Sequence, residues 1–246
     1  AIPTYNGGRR LPEVLDRLRI CCQNATRHPN NSVYQARQKL AVTTSRTAAE
    51  QTRTANPKQN FTWEIIVVDN NSTDDTAKVV RAYQANWPKH CPLRYCFEPR
   101  QGAAFARDRA FKEARGELVA FLDDDNIPAP DWVEAAYTFA RIHPKAGAYG
   151  SQIHGAFEAT PPKNFERLAP FLAITQRGSE PLRYEPSQKV LPPSAGLVVR
   201  KQAWLNSVPS QLILTGRTAK SMVTGEDLEM LSYIQASGWE IWYNPA

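Results

Sequence analysis

The sequence predicts an α/β fold built on a doubly wound, mostly parallel sheet flanked by helices, and three observations predict it. Apolar runs of strand length at residues 63–68, 93–97 and 118–122 alternate with segments whose apolar residues recur at helical spacing. Two of those runs stop abruptly at carboxylates, at Asp69 and at Asp123, Asp124 and Asp125, and the carboxyl ends of buried strands are where open α/β sheets bind ligands. A chain of 246 residues that is 42% hydrophobic is long enough for one full-sized domain of this class.

Taken in order, Ile2, Pro3 and Thr4 end a first strand, and Gly7 and Gly8 allow the backbone after it to turn sharply or to approach a ligand. Leu11, Val14, Leu15 and Leu18 then mark a helix over residues 9–22. The strand at 63–68 leads to Asp69 and to a polar turn in which Ser72 or Thr73 is expected to cap the next helix, with Asp74 and Asp75 in its first turn. Capping leaves Asp69 unexplained, and a carboxylate at a strand's end can accept a hydrogen bond from a base or a ribose. After the strand at 93–97, residues 103–115 form a strong helix with Gly116 as the expected C-cap and with Arg107 and Arg109 near its start, one or the other of which is expected to point at a phosphate or a base edge.

Beyond Pro128 the expected elements are a helix at 132–140, a strand at 146–153, a helix at 165–174, a polar loop at 177–188, a strand at 194–200 and a short helix from Lys201. A last helix opens with Gly225, Glu226 and Asp227 and closes at Gly238. Acidic residues are favoured at a helix start by the backbone dipole. Glu226 and Asp227 also form a second carboxylate cluster suited to general-base chemistry.

The net charge of +6 is concentrated in one segment. Between residues 21 and 60, Arg27, Arg37, Lys39, Arg46, Arg53 and Lys58 face only Glu50, and the surrounding composition is rich in Thr, Gln, Asn and Ala. Such a basic polar insertion reads as a solvated surface excursion or as a peripheral contact with anionic membrane headgroups. Without aromatic interleaving or a recognisable module it does not read as a nucleic-acid binder. No apolar run approaches the ~20 residues of a membrane span. Cys21, Cys22, Cys91 and Cys96 lack metal-site or CxxC spacing, so reduced thiols and a cytoplasmic setting are expected. The opening residues read as the tail of a strand, and a chain trimmed at both ends is expected.

Three adjacent carboxylates repel one another and are costly to desolvate, so Asp123, Asp124 and Asp125 point to a compensating cation, Mg²⁺ or Mn²⁺ for an oxygen-only donor set. A solvated turn capping the helix from Trp132 is the competing reading.

Pro3, Thr4, Tyr5 and Asn6, then residues 64–74 around Asp69, then Gln101 and Gly102 with Ala106, Arg107 and Asp108, then residues 121–125, and lastly Gly225, Glu226 and Asp227 occur in an order that resembles glycosyltransferase family 2, inverting enzymes of the GT-A fold. More narrowly the chain is similar to bacterial members that build exopolysaccharide, the cyanobacterial hormogonium-polysaccharide type among them. The resemblance spans residues 1–246 and implies one domain, with a nucleotide-binding half at 1–130 and an acceptor half at 131–246.

It implies that Pro3, Thr4 and Tyr5 line the nucleotide base, that Asp69 and Asn70 hydrogen-bond it, and that Arg107 lies against base or phosphate. Asp124, with Asp123 beside it, would contact the ribose, Asp125 would hold the divalent cation, and Asp227 or Glu226 would be the general base. The implied partners are a nucleotide-diphospho-sugar donor, UDP-linked first, and a saccharide or lipid-linked acceptor. The chain departs from the family at Asn70 and Asn71, where Asp and Gly are common, and at Asp108, where Asn is usual.

Two other enzyme classes fit less well. Gly7, Gly8, Arg9 and Arg10 do not supply the G-x-G-x-x-G turn of a nicotinamide oxidoreductase. A phosphatase with a nucleophilic Asp leaves Asp69, Arg107 and Asp227 without roles. An inactive nucleotide-sugar binder or assembly scaffold is the reading from outside enzymology.

Overall fold

The computed structural model describes residues 1–26, 61–188, 190–218 and 223–246. From residue 27 onward the basic insertion, with the membrane contact expected of it, lies outside the described residues. The first half consists of β1 (Ile2–Thr4), α1 (Leu11–Thr26), β2 (Ile65–Asp69), α2 (Thr76–Ala85), β3 (Leu93–Phe97), α3 (Ala103–Glu113) and β4 (Leu118–Ala120). The second comprises α4 (Trp132–Ile142), β5 (Ala146–Ser151), β6 (Leu182–Arg183), β7 (Val198–Arg200), α5 (Lys201–Ser207), α6 (Glu226–Ala236) and β8 (Glu240–Asn244).

Strands β1, β2 and β3 form a parallel sheet, and β4-β7-β5-β8-β6 form a mixed one in which β5 and β8 run parallel. The two meet where Leu122 N donates to Ala1 O at 3.0 Å and the Ala1 nitrogen donates to Ala120 O at 2.5 Å. Parallel character is therefore concentrated in the first half, and β7 enters between β4 and β5 antiparallel to both.

Side-chain alternation builds a core on each face of the sheet. Ile65 and Val67 pack with Leu11, Val14 and Leu15 of α1 and with Trp132, Ala136 and Phe139 of α4. Their neighbours Ile66 and Val68 face Ala106, Ala110 and Phe111 of α3 and Met230, Leu231 and Ile234 of α6. Every residue of β2 is buried for this reason, as expected of a strand covered by helices on both sides. Each fully buried Leu, Ile or Phe contributes about 1.5–3 kcal/mol relative to exposure. Among the described residues, no helix is long and apolar enough to cross a membrane.

The structure corrects several expected elements. Helix α3 ends at Glu113, before Gly116, because the Glu113 carbonyl accepts from Arg94 Nη1 (2.9 Å) and the Ala114 carbonyl from Lys201 Nζ (2.5 Å). Those side chains satisfy end carbonyls that a glycine cap otherwise would. The helix expected at 165–174 is two 3₁₀ turns, Phe165–Arg167 and Ala169–Leu172. Pro170 lacks the N–H that an α-helix would need there. The polar loop at 177–188 contains β6, held to β8 by the backbone of buried Tyr184 (N to Ile241 O, 2.8 Å) and by the Arg183–Glu240 ion pair. Strand β8 itself was not expected. The strand expected at 194–200 is shortened to β7.

Candidate functional site

The carboxyl ends of β1 and β4, the start of α3 and the start of α6 converge on one cavity of about 580 Å³. That volume lies within the range of ~300–1,000 Å³ typical of small-molecule sites. Pro3, Thr4, Tyr5, Arg10, Asn70 and Arg107 line the cavity together with Asp123, Asp124 and Asp125, and Glu226 and Asp227 come from α6. Of the residues to which the sequence assigns a site role, Asp69 and Arg109 alone lie outside the lining of this cavity, Arg109 pairing instead with Glu113 at 2.9 Å.

The loop after β1 is fastened to the loop after β2. Asn6 N donates to Ser72 Oγ (2.9 Å), Thr73 N to Asn6 Oδ1 (2.8 Å), Gly7 N to Thr76 Oγ1 (3.0 Å) and Gly8 N to Asp74 Oδ2 (3.0 Å). Ser72 and Thr73, the expected caps of α2, are thus used for this splice, and the N-cap position falls on Asp75 without a side-chain bond. Asp69, 2% exposed, accepts from Ser72 N at 2.9 Å and from the Tyr95 hydroxyl at 2.7 Å. Its carboxylate shapes the turn behind the cavity wall. Asn70 Nδ2 donates to the Glu98 and Arg100 carbonyls (3.4 and 2.6 Å), and its Oδ1 accepts from Gly102 N (2.8 Å). It therefore holds the turn that launches α3.

Asp124 is buried and engaged at both of its oxygens. Thr4 Oγ1 donates to its Oδ2 at 2.5 Å, and Arg10 donates through Nε to Oδ1 (2.7 Å) and through Nη2 to Oδ2 (2.9 Å). The bond to Asp124 raises the Arg10 guanidinium above its ordinary value, with burial opposing. Gly7 makes room for this cluster, since a Cβ there would sit 2.0 Å from Thr4 Oγ1 and 2.5 Å from Asp124 Oδ2. Arg10 was missed in the sequence because it opens an amphipathic helix; the signal for it is a buried carboxylate that needs a cation.

Asp123 is anchored through its backbone N–H to Asn126 Oδ1 at 3.1 Å. Burial pushes its carboxyl above the ordinary aspartate value; Arg107 opposes the shift, and Asp125, Asp124 and Asp227 add to it. Asp125 is exposed on the cavity wall. Among the described residues no three His, Cys, Asp or Glu side chains are grouped to hold a metal by themselves. A donor set of isolated carboxylates fits a cation that takes one or two protein oxygens and completes its shell with ligand phosphates and water.

Arg107 and Glu226 are both buried, and Arg107 Nη1 donates to Glu226 Oε1. The Arg107 side chain expected against a base or phosphate is thus committed to a carboxylate at the cavity wall. Asp227 is half-buried, and its Oδ1 accepts from Leu228 N at 2.9 Å. Sequence reasoning also missed Phe171, Ser194, Arg217 and Thr224, which line the same cavity as Gln101. They lie in stretches with no periodicity, where only the fold reveals what they face.

Residues 33–200 match the sequence profile described as glycosyl transferase family 2. A dolichyl-phosphate β-glucosyltransferase of Trichomonas vaginalis is 31% identical over 186 residues, which are 72% of this chain and 46% of that protein. Among solved structures, S. aureus TarS 1–349 in complex with UDP superimposes with a TM-score of 0.57 at 17% identity, covering 100% of this chain and 59% of the other. A mannosyltransferase from Pyrobaculum calidifontis in complex with GDP-Man and Mn²⁺ gives a TM-score of 0.57 at 20% identity, with 99% and 53% covered. The chain thus spans less than two thirds of the length of each, and the shared architecture is the GT-A fold.

Proposed function

The chain belongs to glycosyl transferase family 2, and from that premise we propose that it transfers a sugar from a nucleotide-diphospho-sugar to a hydroxyl of a saccharide or lipid-linked acceptor, with inversion, in polysaccharide assembly. One observation carries the reading: two carboxylate groups distant in sequence, Asp123 to Asp125 and Asp227, line one cavity together with Pro3, Thr4 and Tyr5. The UDP in the TarS complex supports a UDP-sugar, with GDP as competitor from the mannosyltransferase complex. The dolichyl-phosphate enzyme supports a lipid-linked acceptor.

Pro3, Thr4 and Tyr5 receive the base, in a wall that Asp69 and Asn70 stiffen from behind. Asp124, fixed by Thr4 and Arg10, presents its remaining acceptor capacity to the ribose, with Asp123 beside it. Asp125 would hold Mn²⁺ or Mg²⁺ against the diphosphate, where the bound ion neutralises charge and stabilises the leaving group. Asp227 is the general base rather than Glu226. Glu226 is buried against Arg107, whereas Asp227 keeps its Oδ2 free of any protein donor among the described residues. The acceptor hydroxyl passes its proton to Asp227 as its oxygen attacks the anomeric carbon, and the bond to the diphosphate breaks on the opposite face. A single displacement inverts the configuration. Phe171, 86% exposed at the cavity's edge, offers an aromatic face to an acceptor sugar.

The test is calorimetric titration of UDP, GDP and dTDP with and without Mn²⁺. Metal-dependent binding of one of them, lost in Asp125→Ala, is the expected result. A folded protein that binds none overturns the transferase reading and leaves a scaffold.

A further inference from the structure

Five carboxylates line the cavity, those of Asp123, Asp124, Asp125, Glu226 and Asp227, against three guanidinium groups, those of Arg10, Arg107 and Arg217. Two of the three cations are already committed: Arg10 to Asp124, and Arg107 to Glu226. Arg217 is exposed and has no ion pair or hydrogen bond among the described residues. Such a cavity repels an anionic ligand unless a cation is left over to meet it.

Arg217 is also placed, through the backbone on its N-terminal side. Ile213 N and Leu214 N donate to the Glu229 carboxylate of α6 at 2.9 and 2.8 Å, and Ala104 N of α3 donates to Thr215 O at 3.1 Å. Gly216, at φ +75°, lies so close to both helices that a Cβ would meet the Ala103 Cβ and the Glu226 Cδ at 2.8 Å each. Side chains of α6 and the first turn of α3 therefore fasten the chain up to the residue before Arg217. The contact of Gly216 with Glu226 places the backbone of Arg217 beside the Glu226 and Asp227 pair at the start of α6.

Resting on the transferase reading, we propose that Arg217 binds the sugar-side phosphate of the donor's diphosphate. The end of the cavity nearest Asp227 is where the anomeric carbon must lie, so the phosphate bonded to that carbon is the one within Arg217's reach. In the transfer step the acceptor oxygen bonds to the anomeric carbon, its proton goes to Asp227, and the electron pair of the breaking carbon–oxygen bond stays on that phosphate. Negative charge grows there, and a guanidinium already in place stabilises it more than it stabilises the intact donor. Arginine suits the task because its fork donates two parallel hydrogen bonds to phosphate oxygens.

The experiment compares UDP with UMP, each titrated in Mn²⁺ into the wild-type chain, Arg217→Ala and Arg217→Lys, with thermal melts to verify folding. Arg217→Ala is expected to weaken UDP by about tenfold or more while UMP changes by less than about twofold, and Arg217→Lys to fall between. If the wild-type chain binds UDP and Arg217→Ala binds it equally well, the assignment is overturned and the transferase reading stands. An equal loss for UDP and UMP also overturns it, since the residue would then serve the nucleoside or the loop. If the folded wild-type chain binds none of UDP, GDP and dTDP, the transferase reading falls and the assignment falls with it.

Discussion

Arg107 of α3 and Glu226 at the start of α6, 119 residues apart in sequence, form a buried ion pair that ties the two halves of the fold together at the cavity wall. Removing one partner of such a pair leaves an uncompensated charge in a poorly solvated place, at a cost of about 3–5 kcal/mol, whereas replacing both by apolar residues costs far less. Arg107→Ala and Glu226→Ala are therefore each expected to lower unfolding stability by about 3–5 kcal/mol, and Arg107→Met with Glu226→Leu to recover most of it. Urea denaturation of the three variants measures this. Losses below about 1 kcal/mol in both singles would show a pair that solvent screens.

Asp227 differs from its neighbour in standing half-exposed with one carboxylate oxygen on Leu228 N. Asp227→Asn keeps that hydrogen bond and removes the basic oxygen. The expected outcome is a fall in kcat of roughly 10²–10⁴-fold with UDP affinity and melting temperature unchanged. If turnover survives in Asp227→Asn, another base serves the acceptor.

The first half of this molecule was legible in the sequence because its strands are buried on both faces and its helices carry a clean apolar stripe. Runs such as Ile65 to Val68 can be little else. The carboxylates at Asp123 to Asp125 and at Asp227 were legible because chemistry of that density at element ends has few structural uses. What the sequence hid was which side chains satisfy which. Asp69 and Asn70 read as ligand contacts, yet their polar atoms meet Ser72, Tyr95 and the Glu98 to Gly102 turn. Arg10 was hidden because a cation's role depends on the carboxylate it faces across the fold, and Arg217 because it lies in a stretch without periodicity. Strand β8 and the 3₁₀ turns lie where pairing partners and Pro170 outweigh local periodicity.

Asn70 supplies a direct check on that reassignment. Its amide closes the turn from Glu98 to Gly102 with three hydrogen bonds. Asn70→Ala leaves a buried backbone donor and acceptors without partners, at about 1–3 kcal/mol. Chemical denaturation should show that loss. A variant that loses nucleotide affinity with full stability would restore Asn70 to a purely ligand-facing role.

The four cysteines are all buried and free. Burial pushes the Cys21 thiol up to about 12 and raises Cys96, and hydrogen bonding to Cys22 together with burial raises Cys91 further. A raised thiol stays neutral through the physiological range, and only the thiolate is an effective nucleophile. The native chain at about pH 8 is expected to react with a thiol-disulfide reagent far more slowly than free cysteine does, and the denatured chain to titrate all four. Rapid reaction of one thiol in the native chain would reveal local opening around that residue.

Gly7 tests the cluster that fixes Asp124. A methyl group at this position would overlap Thr4 Oγ1 and Asp124 Oδ2, which are themselves 2.5 Å apart and cannot retreat without breaking their bond. Gly7→Ala is therefore expected to cost about 1–3 kcal/mol, as overpacking does. Because it displaces Asp124 from Thr4 and Arg10, it should also weaken UDP by about tenfold, a loss that Thr4→Val, which removes the hydroxyl but keeps the shape, should share in part. If Gly7→Ala loses stability yet binds UDP as the wild type does, the Asp124 cluster supports the loop alone and the ribose is held elsewhere.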